Sequence, residues 1–362
     1  MMNKSFKYYA LFAVLAVFSI ASHANTSLPP HTREKTIRKE FTVNSDALLK
    51  IQNSYGNLVL HSWEEDRVLI EVHISAQGNN ADKVAEKLEG VTVSFEASPS
   101  VVSAETHFEK NNSWNWWKGN DRVQMQVNYT ITLPVKNSIS LRNDYGNITL
   151  DRIDGHARIS CDYGRLDIGE LRGRNNDLRF DYTSKSRIGY MNSGEIKADY
   201  SGFILERGGS LELRADYTDA EIGQLENLDY SCDYGNLEVE EVKNLIGKGD
   251  YISVTAGRID DHASIDANYG SIRIGSFGLA AKNISLTTEY TGIKIGFDQT
   301  RPFDFEINTE YTGVKGKENL TMQISKDSNP SRYYSGYFLR PADGPSLKIN
   351  SAYGSISIEK NN

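Results

Sequence analysis

The stretch ISCDYGRLDIGEL, residues 159–171, decides the fold. Apolar residues alternate with polar ones up to an Asp-Tyr-Gly corner, and alternation resumes beyond it, which is the period-two signature of a β-strand on each side of a turn. The same phrase recurs along the chain as KIQNSYGNLVL (50–60), LRNDYGNITL (141–150), IKADYSGFIL (196–205), LRADYTDAEI (213–222), SCDYGNLEV (231–239), IDANYGSIRI (265–274), LTTEYTGIKI (286–295), INTEYTGVKG (307–316) and INSAYGSISI (349–358). Weaker copies centre on Tyr182 and Tyr251. From Tyr145 to Tyr311 the copies are 17 to 21 residues apart. That step is too short for a helix-containing unit, so like strands of successive copies are expected to pair in parallel. The expected fold is therefore all-β: a single-stranded parallel β-helix, or β-solenoid, with turns of 17–21 residues.

Counted from the tyrosine, position −4 is apolar (Ile159, Leu178, Ile196, Leu213, Ile265) and position −2 is small (Cys161, Ala198, Ala215, Cys232, Ala267). Both belong to an inner face. By the same alternation the tyrosines Tyr145, Tyr163, Tyr182, Tyr200, Tyr217, Tyr234, Tyr251, Tyr269, Tyr290 and Tyr311 are expected to point inward as a structural ladder at the corners. Glycine at +1 is expected to supply the positive φ of the turn. Cys161 and Cys232 occupy equivalent positions four steps apart, roughly 19 Å at strand spacing. A disulfide needs Cα atoms within about 7 Å, so two free, inward-facing thiols are expected.

Position −1 carries an outer acidic ladder, Asp144, Asp162, Asp181, Asp199, Asp216, Asp233 and Asp250. Bases at −3 (Arg142, Arg179, Lys197, Arg214, Lys248) and acids at −5 (Asp177, Glu195, Glu212, Asp229) share that face. Acid, base and acid rows are read as a self-compensating ladder. The glycine-rich nonapeptide of calcium-binding β-rolls is absent, and no metal site is expected.

The first 24 residues join Lys4 and Lys7 to an apolar run, Ala10–Ala21, and to small residues at the expected cut, the pattern of a secretory signal peptide. Without its two lysines, 38 basic residues face 48 acidic ones, a net charge near −10. Such a chain is a poor partner for nucleic acid, and no later segment is apolar enough to span a membrane. The expected organisation is a signal peptide (1–24), a flexible N-terminus (25–35), a first turn (36–66), an antiparallel β insertion or cap (67–135) and the repeats (136–362). The insertion contains RVLIEVHISA, VTVSFEA, VVSAETHF and RVQMQVNYTITLP, with a helix over Ala81–Leu88 that starts at Asn80 and stops at Gly90. At its centre Trp114, Trp116 and Trp117 form an aromatic loop, the candidate binding site for a protein or glycan. The stretch 326–345 is read as a repeat with enlarged loops. The chain stops soon after the Tyr353 copy, so self-association through that C-terminal turn is expected.

No histidine spacing suits a metal, no nucleophile sits in a known signature, and a ladder repeated in every turn is unlike a unique catalytic pair. The chain is read as a non-enzyme without cofactor.

The phrases SYGNLVL (54–60), DYGNITL (144–150), DYGRLDI (162–168), DYGNLEV (233–239) and NYGSIRI (268–274) resemble those of an exported bacterial β-strand-repeat family labelled as adhesins, and of the related adhesin-head (GIN) domain. The resemblance covers roughly residues 36–358. It implies a right-handed β-helix and a binding or scaffold role at the cell envelope, in the periplasm or at the surface. The competing readings are a periplasmic regulatory or envelope-maintenance partner and, behind it, a polysaccharide lyase or hydrolase.

Overall fold

The structure, a computed structural model, describes residues 31–109, 123–278, 281–341 and 345–361. The tryptophan loop at Trp114, Trp116 and Trp117 lies outside the described residues. All described strands belong to one hydrogen-bonded, non-closed sheet.

The N-terminal part consists of β1 (His31–Thr42), β2 (Leu48–Ser54), β3 (Leu58–Trp63), β4 (Arg67–Gly78), helix α1 (Ala81–Glu89), β5 (Val91–Ser98), β6 (Val101–Phe108) and β7 (Val123–Pro134). The helix is set by its ends. The Asn80 side chain accepts the amides of Asp82 and Lys83, and Gly90 returns its N–H to Glu86. The apolar side of α1, Val84 and Leu88, is buried. Residues 31–35 are not a flexible leader to this part. They pair antiparallel with β4 from His31↔Gly78 onward. Nor is the insertion an antiparallel sheet laid over the repeats. β4–β7 and β5–β6 are antiparallel, but β6 joins β2 and β7 joins β3 in parallel. The insertion thus supplies the strands that precede the first repeat.

The repeats follow as β8 (Ser138–Asp144), β9 (Ile148–Ile153), β10 (Ala157–Asp162), β11 (Leu166–Leu171), β12 (Asn176–Asp181), β13 (Ser186–Asp199), β14 (Gly202–Asp216), β15 (Asp219–Asp233), β16 (Gly235–Asp250), β17 (Ile252–Asn268), β18 (Ser271–Phe277), β19 (Asn283–Glu289) and β20 (Gly292–Asp298). Each segment pairs in parallel with its counterpart one repeat later. One inner row can be followed by register from Ile51 through Leu141, Ile159, Leu178, Ile196, Leu213, Tyr230, Gly247 and Ile265 to Leu286. Its single irregularity compensates itself: a Cβ on Gly247 would lie 2.2 Å from the Tyr230 ring, so the large residue of one repeat fills the space vacated by the next. Cys161 and Cys232 sit in the neighbouring inner row, linked through Phe180, Ala198 and Ala215, and both are buried and unbridged.

The C-terminal order departs from the sequence. After β21 (Phe303–Glu310) and β22 (Gly313–Lys315) come β23 (Thr321–Ser328), β24 (Ser331–Phe338), β25 (Ser346–Ala352) and β26 (Ser355–Asn361). The Tyr353 copy inserts between two earlier ones: β25 pairs with both β19 and β21, and β26 with both β20 and β22. The Tyr353 copy is therefore not the terminal edge on which the expected self-association rests; among the described residues the outer edges at this end are β22, paired only with β26, and β23, paired only with β24. The 326–345 stretch is not a repeat either. It contributes to an antiparallel β23–β24 hairpin that covers β21.

Candidate functional site

The repeat tyrosines do not point inward. Each adopts the left-handed conformation, with φ between 49° and 61° from Tyr55 to Tyr353. One such residue between two strands shifts the alternation by one position, so −4, −2, +1, +3 and +5 face the core while −1 and the tyrosine both face out. The residue at +1 is accordingly buried: Thr183, Ser201, Thr218, Thr291 and Thr312 all lie inside, and the Thr218 hydroxyl donates to the carbonyls of Ala198 and Asp216 at 2.8 and 3.0 Å. Glycine at +1 answers crowding rather than a positive φ. A Cβ on Gly146 or Gly164 would stand 1.8 or 2.1 Å from the carbonyl oxygen of the preceding repeat.

Outside, the rings form one column. Tyr55, Tyr145, Tyr163, Tyr182, Tyr200, Tyr217, Tyr234, Tyr251, Tyr269, Tyr290, Tyr353 and Tyr311 stack in that spatial order. Centroids are 4.7–5.3 Å apart and ring planes lie within 11° of parallel. Phe108 closes the N-terminal end edge-on, 5.6 Å from Tyr55. From Tyr145 onward each residue is between 44% and 58% exposed. A left-handed non-glycine residue costs about 1–2 kcal/mol, and an aromatic stack returns about 0.5–1.5 kcal/mol. Each step of the column is therefore close to balance. Glycine or asparagine would make the same turn at less cost, so what tyrosine adds here is its side chain. Partial loss of water contact, followed by the neighbouring rings, pushes the hydroxyls of Tyr163, Tyr234 and Tyr269 above their ordinary pKa. The column is a neutral, hydroxyl-tipped stripe.

The aspartates at −1 run beside it. The carboxylates of Asp181, Asp199 and Asp233 each accept the backbone N–H of the aspartate one repeat on, at 3.3, 3.1 and 2.7 Å. Asn268 continues the row with its amide, giving a hydrogen bond to Asp250 and accepting one from the Glu289 N–H. The three charge rows do not compensate as expected. The −3 bases turn to the −5 acids: Arg179 to Asp177 at 3.1 Å, Lys197 to Glu195 at 2.9 Å, and Arg214 to both Glu195 and Glu212. Those acids line a shallow groove of about 700 Å³ with Asn175, Ser193, Asn227 and the exposed Ile246. Among the described residues only Asp144 of the −1 row has a cationic partner, Arg142 at 3.8 Å. The geometric cause is that −3 and −5 flank each other on one flat strand, whereas −1 sits on the corner. Burial, then the aspartates above and below, pushes Asp162 and Asp216 above the ordinary carboxylate range.

Among the described residues no three His, Cys, Asp or Glu side chains are grouped to hold a metal ion, and no helix is long and apolar enough to cross a membrane. No family model and no curated protein matches the chain. Solved structures similar to it include a putative cell adhesion protein from Clostridium sporogenes (10% identity, 91% of this chain and 100% of that one, TM-score 0.19). Others are a putative adhesin from Bacteroides fragilis (12%, 90% and 97%, TM-score 0.27) and a putative lipid binding protein from Parabacteroides distasonis (11%, 90% and 96%, TM-score 0.27). At identities and TM-scores this low, the reading of the site rests on the chain's own geometry.

Proposed function

We propose that the chain is a parallel β-solenoid that, once exported, serves as a rigid binding scaffold of the bacterial envelope, with the tyrosine stripe as its contact face. One observation carries this reading. Rings of about 200 Å² each, half exposed in nearly every step, present roughly 1,000 Å² of continuous tyrosine surface, whereas the largest apolar patch on an ordinary monomer is about 300–600 Å². Tyrosine is the residue that binding surfaces favour, because it offers a large, amphipathic area with few torsions to freeze. Here the rings are already immobilised by stacking, which lowers the ordering cost of a contact further. The equivalence of the steps favours binding along a length over turnover at a point. In this reading the repeats from residue 136 onward form the body, interrupted by the β23–β24 hairpin, and the strands within residues 67–135 continue it at its N-terminal end.

The test is a variant with Tyr200, Tyr217, Tyr234 and Tyr251 all changed to Asn, the side chain that best tolerates the left-handed corner. It is expected to keep the β-sheet circular dichroism of the parent. Its retention on envelopes of the producing organism should fall at least tenfold. Unchanged retention would remove the stripe from function. Protease shaving of intact cells separates a surface location from a periplasmic one.

A further inference from the structure

We propose that the partner of the tyrosine stripe is an extended polypeptide segment rich in lysine and arginine, laid along the column with its cations on the aspartate row. The proposal rests on the stripe being the contact face and names what that face takes. Seven consecutive steps, Asp144 to Asp250, place an acid immediately beside a tyrosine. Arg179, Lys197 and Arg214 are held by the −5 acids, and among the described residues no −1 aspartate from Asp162 to Asp250 has a cationic partner, so this stretch of the row keeps its charge unspent. One oxygen of Asp181, Asp199 and Asp233 fixes the next repeat's amide. The second oxygen of Asp199 and of Asp233 has no hydrogen-bond partner among the described residues and remains an acceptor for an incoming cation.

Other occupants fit less well. A second copy of this face would bring aspartate row against aspartate row, and like charges across an interface select against pairing. A sugar ring binds tyrosine through the ring face, and here the faces are taken up by the neighbouring rings, leaving edges and hydroxyls. Nucleic acid carries the wrong charge. Lysine and arginine bring long apolar stems that can lie along ring edges while their heads reach carboxylates. Six steps of about 4.9 Å are spanned by roughly nine residues of extended chain at ~3.3 Å each, and flexible stems absorb the mismatch between the two spacings.

The probe is fluorescein-labelled decalysine titrated into the mature chain, with decaglutamate and a chitosan oligomer in parallel. The expected result is saturable decalysine binding that weakens steeply with added salt and no decaglutamate binding. The triple variant Asp199→Asn, Asp216→Asn, Asp233→Asn should lose at least tenfold in affinity. Asn268 shows that an amide serves this row structurally, so the fold is kept. The triple variant Glu221→Gln, Glu226→Gln, Glu238→Gln removes the same charge away from the row and should change affinity less than twofold. Equal losses in the two triples would reduce the effect to net charge and overturn the proposal. So would absence of decalysine binding at low salt, or binding of chitosan alone. If decalysine fails while the four-Asn tyrosine variant still loses envelope retention, the partner class falls and the contact face stands. Unchanged retention in that variant removes the contact face itself.

Discussion

The left-handed tyrosine corner can be tested by a comparison that reverses the usual order of two substitutions. Tyr217 stacks on Tyr200 at 4.9 Å and on Tyr234 at 4.7 Å, with φ of 52°. Changing it to alanine removes two stacks, about 1–3 kcal/mol together, and leaves the strained backbone in place. Changing it to glycine removes the same stacks but releases about 1–2 kcal/mol of left-handed strain, offset by about 0.5–1 kcal/mol of added chain entropy. Glycine should therefore equal or exceed alanine by up to ~1.5 kcal/mol, whereas in the middle of a strand alanine leads by about 0.5–1 kcal/mol. Stacked repeats need not unfold as one unit, so the assay is local. Native-state amide exchange is followed at residue 217, whose N–H donates to the Asp233 carbonyl at 3.0 Å in the parent. A double-mutant cycle between Tyr217 and Tyr234 should give a coupling of about 0.5–1.5 kcal/mol. Protection in the alanine variant clearly above that in the glycine variant, or zero coupling between the two rings, would refute this account of the corner.

Three further outcomes are expected. Asp216→Asn keeps the row's hydrogen bonding and removes repulsion from two neighbours one strand spacing (~4.8 Å) away, together worth roughly 1–2 kcal/mol near neutral pH in a water-like medium. Because the folded-state pKa is raised, the native state binds more protons than the unfolded one at pH values above the ordinary carboxylate range. The parent's stability therefore falls as pH rises through that window, and the variant's advantage in thermal melts should disappear below it. Gly247→Leu should destabilise by at least about 1–3 kcal/mol through overpacking against Tyr230, and Tyr230→Ala in the same chain should recover most of the loss, seen as restored melting temperature. Burial pushes the Cys161 and Cys232 thiols up to about 12, so neither should react with iodoacetamide before denaturation; rapid native alkylation would contradict their placement.

Much of this structure was legible from the chain because a repeat supplies its own register. The pairing Cys161–Phe180–Ala198–Ala215–Cys232 follows from counting residues, and the helix from Asn80 and Gly90 as its stops. Strand alternation continued through the tyrosine places the ring inside, whereas the left-handed corner breaks the alternation and turns it out. The signal of that break lies in the same numbering: −2 and +3 are both apolar or small, yet five residues apart, an odd interval that an unbroken alternation cannot supply. Buried Thr218 and Ile252 at +1 carry the same mark. The pairing of Lys197 with Glu195 rather than with Asp199 depends on which neighbours lie on the flat part of the strand, a distinction that charge order alone does not contain. The intercalation of the Tyr353 repeat between those of Tyr290 and Tyr311 has no local signature, because every copy offers the same edges; it is the β23–β24 hairpin that occupies the outer edge of β21.

The central claim is that the tyrosine column faces solvent along the whole body. Nitration of the native mature protein by tetranitromethane, mapped by mass spectrometry, reads this directly. Ladder positions such as Tyr163, Tyr200, Tyr217 and Tyr251 should be modified, while the buried Tyr129 and Tyr230 react only after unfolding. Protection of the ladder tyrosines to the level of Tyr129 and Tyr230 would put the rings inside and contradict the account.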